Sequence, residues 1–406
     1  MSTEQLLSGY RVLDFTHAIA GPTTTLLMAE MGADVIKVEH PPLGDMIRLS
    51  PFVRNGRSGC FVQHNRGKKS LCVDLNQPAG LEIIKQLLPK FDVVIENFSP
   101  GVMKRLGLDY ETVRAINPRI IMCSISTFGQ TGALANKPGF DGIGAAYTGN
   151  VARLGEPGRP PGYPQSAAGD IASGAYALGA IACALLHRER TGKGQYIETA
   201  LIDTYLTFHE TALAAVSASR GALQPGRAGA DCELYSPIGS YQGKNGYIML
   251  GASIQHHFAA LARMMGKPEL AADPRFKTND LRAANQKILR EIIQEWISSM
   301  PSDEDVLRML DENHIPCAPV LTVQEVVNNP ILRERGSIKI INDPIVGEVA
   351  VPGFPMRFAA TPAIEDLPTP FLGEHNAVIL REYLDYAADR IRTLEEQGVL
   401  YSRPEK

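Results

Sequence analysis

The chain has 406 residues, 44% of them hydrophobic and 21% charged, with a net charge of −4 and a pI near 6.2. That is the make-up of an ordinary globular protein of two domains, or of one large domain carrying an insertion. The slightly acidic balance without a basic tail excludes a nucleic-acid partner, and six scattered cysteines (Cys60, Cys72, Cys123, Cys183, Cys232, Cys317) with no CxxC pair exclude a disulfide framework or a zinc site.

The cysteine usage fits a reducing cytoplasm, and Met1-Ser2-Thr3-Glu4-Gln5 has neither the basic nor the apolar region of a signal peptide. From there the chain reads as strand (10–15), a turn His17-Ala18-Ile19-Ala20-Gly21-Pro22, helix (23–31) and strand (34–39), a βαβ unit for which a parallel right-handed crossover is expected. Strands are expected again at 70–75, 92–97 and 119–126, with a helix at 79–88, so the fold class is α/β. The run Gln224-Pro225-Gly226-Arg227-Ala228-Gly229 has the texture of a linker. After it, 238–242 and 247–250 around Asn245-Gly246 predict a hairpin, and helices are expected at 256–265, 281–298 and 303–313, giving a smaller α+β domain. The tail from Val349 returns to strands punctuated by proline and a helix.

Asp170 stands out in Gly162-Tyr163-Pro164-Gln165-Ser166-Ala167-Ala168-Gly169-Asp170, at the mouth of an apolar helix over 171–186. The apolar stretch is too short for a membrane span, and no membrane association is expected. One reading makes Asp170 an N-cap, accepting an orphan amide of the first turn. The other makes it a reagent: Gly169 and the small residues around it reserve room, and a helix N-terminus keeps a carboxylate charged and nucleophilic. Spacing alone leaves both open.

Other motifs are weaker. The turn at 18–22 could bind an anion at a helix start, yet G-x-G-x-x-G is absent, which speaks against a dinucleotide site. Asn65-Arg66-Gly67-Lys68-Lys69 is either a solvated basic turn or a phosphate grip. Phe98, after the strand at 92–97, could stack on a flat ring, and Arg105 could meet a phosphate. No histidines group as metal ligands, and no G-x-S-x-G elbow is present.

Together, Val12-Leu13-Asp14-Phe15-Thr16 with Ala20-Gly21-Pro22, Gly32 to Glu39, Asn65 to Ser70, Asp92 to Phe98, Pro138-Gly139-Phe140-Asp141, Gly169-Asp170, Thr191 to Gln195 and Pro370 to His375 occur in an order that resembles the class III (CaiB/BaiF) CoA-transferase family. Formyl-CoA transferase and α-methylacyl-CoA racemase belong to it. The resemblance covers nearly the whole chain. It implies an interlocked homodimer, with a large Rossmann-like domain built from both chain ends and a smaller inserted α+β domain. This chain then divides at 1–220, 221–330 and 331–406. By the same resemblance Asp170 is the nucleophile, working through anhydride and aspartyl-CoA intermediates. Ile19, Ala20, His40, Asn65, Arg66, Lys68, Lys69, Asn97, Phe98, Arg105, Pro138, Gly139, Phe140 and Asp141 line the CoA site, with Lys68, Lys69 and Arg105 on phosphates. No metal or prosthetic group is implied; the CoA thioester is a substrate.

The departures narrow the expectation. Where the racemase branch has His, this chain has Phe140, which can serve as neither acid nor base; CoA transfer is therefore expected over the racemase alternative, and over a non-catalytic CoA-binding protein. Gly251-Ala252-Ser253-Ile254-Gln255 stands where formyl-CoA transferase has a glycine-rich loop, and Ile19 replaces a glutamine, so oxalate is not the expected acceptor. Succinyl-CoA is the expected donor and a C4 or C5 dicarboxylate such as itaconate the expected acceptor, with Arg48 and Arg153 as candidates for its second carboxylate.

Overall fold

The computed structural model describes residues 5–364 and 367–403. The chain forms two compact units, one comprising 1–148, 166–208 and 329–406 and the other 149–165 and 209–328.

The first unit is built on six parallel strands: β1 (Arg11–Asp14), β2 (Asp34–Glu39), β3 (Lys69–Cys72), β4 (Val93–Glu96), β5 (Ile121–Ser126) and β6 (Tyr196–Ala200). Their spatial order is β3-β2-β1-β4-β5-β6, the doubly wound arrangement whose direction of winding reverses between β1 and β4. Successive side chains point to opposite faces. Leu13, Ile36, Leu71 and Val94 thus enter one apolar cluster, while Val12, Val35, Val93 and Ile95 enter another. Burial on both faces explains why these strands read as continuous apolar runs rather than alternating ones.

Two helices matter for the site. The first, α1 (Ala20–Glu30), starts earlier than its sequence pattern suggests and is buried along its entire length. The second runs from Ala168 to Thr191, 24 residues, and buries a stripe that includes Ser173, Gly174, Ala177, Leu178, Ile181, Ala184 and Leu185. A side chain at Gly174 would place a Cβ 2.5 Å from the Ala20 carbonyl oxygen, so glycine is what allows these two helices to approach. The stretch read as too short for a membrane crossing therefore lies in a helix that is long and apolar enough for one by length and composition. Its buried stripe joins the cluster under β1, β4 and β5, while Ile171, Tyr176 and Leu186 on the same helix stay exposed.

The C-terminal segment closes the exposed edge of β3. Cys72 donates its N–H to Asn376 Oδ1 at 2.8 Å, and the Tyr401 and His375 amides reach the Cys72 and Ser70 carbonyls. An open strand edge is thereby covered. The hairpin Ile338–Asp343 with Gly347–Pro352 was not anticipated in its first strand.

The second unit carries an antiparallel sheet of Ile238–Gln242, Tyr247–Gly251 and Cys317–Pro319. Its core gathers Tyr241, Phe258, Leu261, Phe276, Leu289 and Ile293. The helix expected over 281–298 is two, Asn279–Ala284 and Gln286–Ser299, with Asn285 between them bonding back to the Leu281 carbonyl at 2.8 Å. Residues 224–229 are a fastened turn inside this unit. The Gly226 amide is held by the Glu233 carboxylate, and the Arg227 guanidinium bonds the Ala152 and Glu156 carbonyls. The unit accordingly starts upstream of residue 221 and takes in 149–165.

Candidate active site

Asp170 is the third residue of the long helix, and the cap position belongs to Ala167, which makes no side-chain cap bond. The capping reading therefore fails. The cap comes from elsewhere: Asp141 Oδ1 accepts the Asp170 N–H at 2.8 Å, a bond that a local N-cap would ordinarily supply. Asp141 opens the helix Asp141–Tyr147. Its Oδ2 accepts the Tyr205 hydroxyl at 2.7 Å, and the Tyr205 oxygen accepts the Gly169 N–H at 3.3 Å. A Cβ on Gly169 would lie 2.2 Å from the Tyr205 ring and 2.7 Å from Asp141 Oδ1. The room at Gly169 is thus filled by Tyr205 and Asp141.

Asp170 and Asp141 form a pair of acids. Burial, and then the Asp141 charge, push the Asp170 carboxyl up to about 7. The expectation that the helix start would keep it ionised is reversed: desolvation and a like charge outweigh the favourable dipole. Burial and its bond to Asp141 raise the Tyr205 phenol above its ordinary value, so it stays a donor.

The carboxyl of Asp170 borders a recess of about 240 Å³. Its walls are the segments that follow β1 (His17 to Ala20), β4 (Asn97) and β5 (Thr127), together with Met46, Gly139, Phe140 and Leu201. This is the carboxyl end of the sheet, at the point where its winding reverses, the place where open α/β sheets take ligands. Asn97 brackets His17, accepting its N–H and donating to its carbonyl, both at 2.8 Å. The His17 ring lies 5.4 Å from that of Phe98; burial and Lys37 lower its pKa, leaving it neutral. Phe140 is 59% exposed and offers the recess an aromatic face.

Of the residues expected at a CoA site, the structure gathers Ile19, Ala20, Asn97, Gly139 and Phe140 beside Asp170, with Asp141 bonded to its backbone. Pro138 is exposed next to Gly139. The basic turn behaves differently. Lys68 is fully buried, bonded to Asp14 Oδ2 (3.1 Å), Asn65 Oδ1 (2.8 Å) and the Pro22 carbonyl (3.3 Å). Arg66 is buried against Glu30 at 2.6 Å, and Lys69 pairs with Asp34 at 3.0 Å. Their charges are matched inside the unit, because a buried cation is tolerated only with partners; Lys68 and Arg66 drop out as phosphate ligands. Arg48 is likewise buried and grips Glu39 through two bonds of 2.8 Å, so it cannot receive a second carboxylate. Arg153 lies in the other unit. His40 and Arg105 are exposed. Among the described residues no three His, Cys, Asp or Glu side chains are grouped to hold a metal.

Sequence reasoning missed Tyr205, Met46 and Thr127, which no local pattern marks. His17 had a signal, since it begins the turn ahead of α1.

The model of CoA-transferase family III matches residues 7–376. A succinyl-CoA:glutarate CoA-transferase of Mus musculus is 35% identical over 97% of this chain and 90% of its own length. A succinyl-CoA–D-citramalate CoA-transferase of Chloroflexus aurantiacus is also 35% identical, over 97% and 98%. A solved CAIB/BAIF family protein from Brucella suis superposes with a TM-score of 0.82, at 34% identity, covering 94% of this chain and all of that one. The doubly wound sheet and the acid pair thus sit in an enzyme of the CoA-transferase class. This chain belongs to CoA-transferase family III.

Proposed function

We propose that this chain moves CoA from succinyl-CoA to a C4 or C5 dicarboxylic acid, with Asp170 as nucleophile. An Asp170 oxygen attacks the thioester carbonyl, the C–S bond breaks, and CoA leaves as thiolate from a succinyl–aspartyl anhydride. The thiolate attacks the aspartyl carbonyl of that anhydride, giving aspartyl-CoA and releasing succinate. The acceptor carboxylate then displaces the thiolate to form a second anhydride. The thiolate takes the acceptor's acyl group and frees Asp170.

The observation that carries this reading is the setting of Asp170: an acid at the mouth of a helix, bordering a recess, with its backbone fixed by Asp141 and, among the described residues, no cation paired with it. Family membership and relatives named for glutarate and citramalate support the donor and the size of the acceptor; itaconate, mesaconate and malate have the same two carboxylates. Phe140 at the recess has no proton to exchange, which weighs against racemisation. In this reading Ile19, Ala20, Asn97, Phe98 and 138–141 receive the thioester end of CoA, and His40 and Arg105 lie nearer its phosphates. The protein acts as an interlocked homodimer, a reading supported by Ile171, Tyr176 and Leu186, which leave 49%, 50% and 54% of their surface open along the long helix; light scattering tests it.

Succinyl-CoA incubated with a panel of acids, followed by mass spectrometry of CoA esters, identifies the acceptor. Hydroxylamine should label Asp170 only after acyl-CoA is added, and Asp170→Ala should abolish transfer. Transfer at the native rate by Asp170→Ala would overturn the reading.

A further inference from the structure

Ala18 has φ +62°, the left-handed region that disfavours any residue with a Cβ. It sits between the end of β1 and α1, and it lines the recess beside Asp170. Something must hold it there. Asp45 Oδ1 accepts the Ala18 N–H at 3.1 Å and the Ile47 N–H at 3.2 Å. Asp45 is itself fully buried. Its Oδ2 lies 2.9 Å from Lys37 Nζ in an ion pair, and the same ammonium donates to the Thr16 carbonyl at 2.7 Å. The Asp45 amide donates to Glu39 Oε1 at 3.0 Å, and Glu39 is locked by Arg48. The acceptor for Ala18 is therefore rigid, tied both to the strand before the turn and to the loop beneath it.

The consequence falls on the next residues. Ile19 occupies the cap position of α1 and no side chain caps that helix. Ile19 and Ala20 border the same recess as Asp170, so the start of α1, with amides that no side chain caps, lies beside the place where a tetrahedral oxyanion would form in the proposed reaction. Donors of this kind act only if their direction is fixed beforehand. A change in the Ala18 backbone would swing them together.

We infer that Asp45 is a positioning residue for CoA transfer: it holds Ala18 in its left-handed conformation and so aims the start of α1 at the Asp170 recess. This rests on the reading of Asp170 as the nucleophile. Asp45→Ala should lower kcat about tenfold or more, with the KM for succinyl-CoA changed less than about threefold, because an interaction felt in the transition state is lost. Glycine takes positive φ freely. Ala18→Gly added to Asp45→Ala should therefore recover about fivefold of the lost kcat without raising the melting temperature. Asp45→Asn, which keeps the oxygen acceptor, should retain kcat within about threefold of native; it serves if Asp45→Ala does not fold. A native kcat in Asp45→Ala, a double variant no faster than Asp45→Ala, or an Asp45→Asn as slow as Asp45→Ala would overturn the inference. Hydroxylamine labelling of the unmodified enzyme separates the two claims. Labelled Asp170 without rescue removes only the role of Asp45, and absence of label removes the nucleophile.

Discussion

Asp170 and Asp14 are the same residue type in the same unit, held under opposite conditions. Asp14 is fully buried, 3.1 Å from Lys68 Nζ and hydrogen-bonded by the Thr16 and Thr25 hydroxyls at 2.5 and 2.7 Å. Burial alone would push its pKa up, but Lys68 and Lys37 outweigh it and hold the carboxyl well below its usual range. Glu39 of β2 is brought down to about 2 against burial, chiefly by Arg48. Among the described residues no cation pairs with Asp170; its neighbour is another acid, and burial and that acid together raise it to about 7. Burial works in the same direction at every one of these sites, so the partner's charge decides the outcome. The deepest carboxylates become permanently charged and structurally fixed. The shallower one, set against a second acid, keeps a basic oxygen able to gain and lose a proton near neutrality.

The largest effect should come from breaking the matched side of this contrast. Lys68→Met leaves Asp14 buried without its nearest cation. It should cost about 3–5 kcal/mol in denaturant unfolding, the usual penalty for stranding a buried charge. A cost below about 1 kcal/mol would mean that Lys37 and the two hydroxyls suffice for Asp14.

The unmatched side predicts the opposite sign. The folded-state pKa of Asp170 is raised from 3.8 to about 7, so the folded chain binds an extra proton between those values. Stability therefore falls as pH rises through that window, and the whole penalty is present above about 7. Asp170→Asn should abolish transfer yet stabilise the protein at pH 8 by about 1–2 kcal/mol, a figure kept below the full linkage value because the carboxyl is only half-buried. At about pH 4 the gain should vanish. Equal melting temperatures for the two proteins at pH 8 would show that Asp170 is solvated.

Asp141→Asn tests the acid pair itself. The amide oxygen can still accept the Asp170 N–H, but the like charge is gone. In the unmodified enzyme kcat/KM for succinyl-CoA should rise with pH through about 7, as Asp170 loses its proton. In Asp141→Asn the midpoint should fall by about one pH unit. An unmoved midpoint would assign the raised pKa to burial alone.

How far the sequence reaches follows the same division. Five of the six strands of the sheet were legible because burial on both faces leaves apolar runs, and Asp34–Glu39 has the limits its pattern suggests; Tyr196–Ala200, only partly buried and not an apolar run, was not. Of the residues that the resemblance puts at a CoA site, Ile19, Ala20, Asn97 and Phe140 lie together around the recess beside Asp170. The basic turn at 65–69 misled, since a sequence shows cations but not the buried acids that absorb them: Asp14 lies 54 residues from Lys68 and Glu30 lies 36 from Arg66. Asp170 looked like its own helix's cap for a related reason, because the true acceptor, Asp141, is 29 residues away. Tyr205 carried no signal at all; its partners are fixed only when its helix docks.

Tyr205→Phe is the finest probe of that docking and should have the smallest effect. The ring that fills the space beside Gly169 remains, so packing is kept. What goes is the hydroxyl, which donates to Asp141 Oδ2 at 2.7 Å and accepts from the Gly169 amide at 3.3 Å. A net loss of about 1 kcal/mol is expected, read as a melting temperature lower by a few degrees. Asp141 Oδ1 still holds the Asp170 amide, but with its other oxygen released the carboxylate can rotate, and Asp170 loses part of its fixed direction. Transfer should slow by less than about tenfold, with the KM for the acceptor acid unchanged, since Tyr205 acts through Asp141 and is not among the walls of the recess. If the variant matched the native enzyme in both rate and melting temperature, Tyr205 would be a spectator, and Asp141 alone would separate the reactive carboxyl from the structural ones.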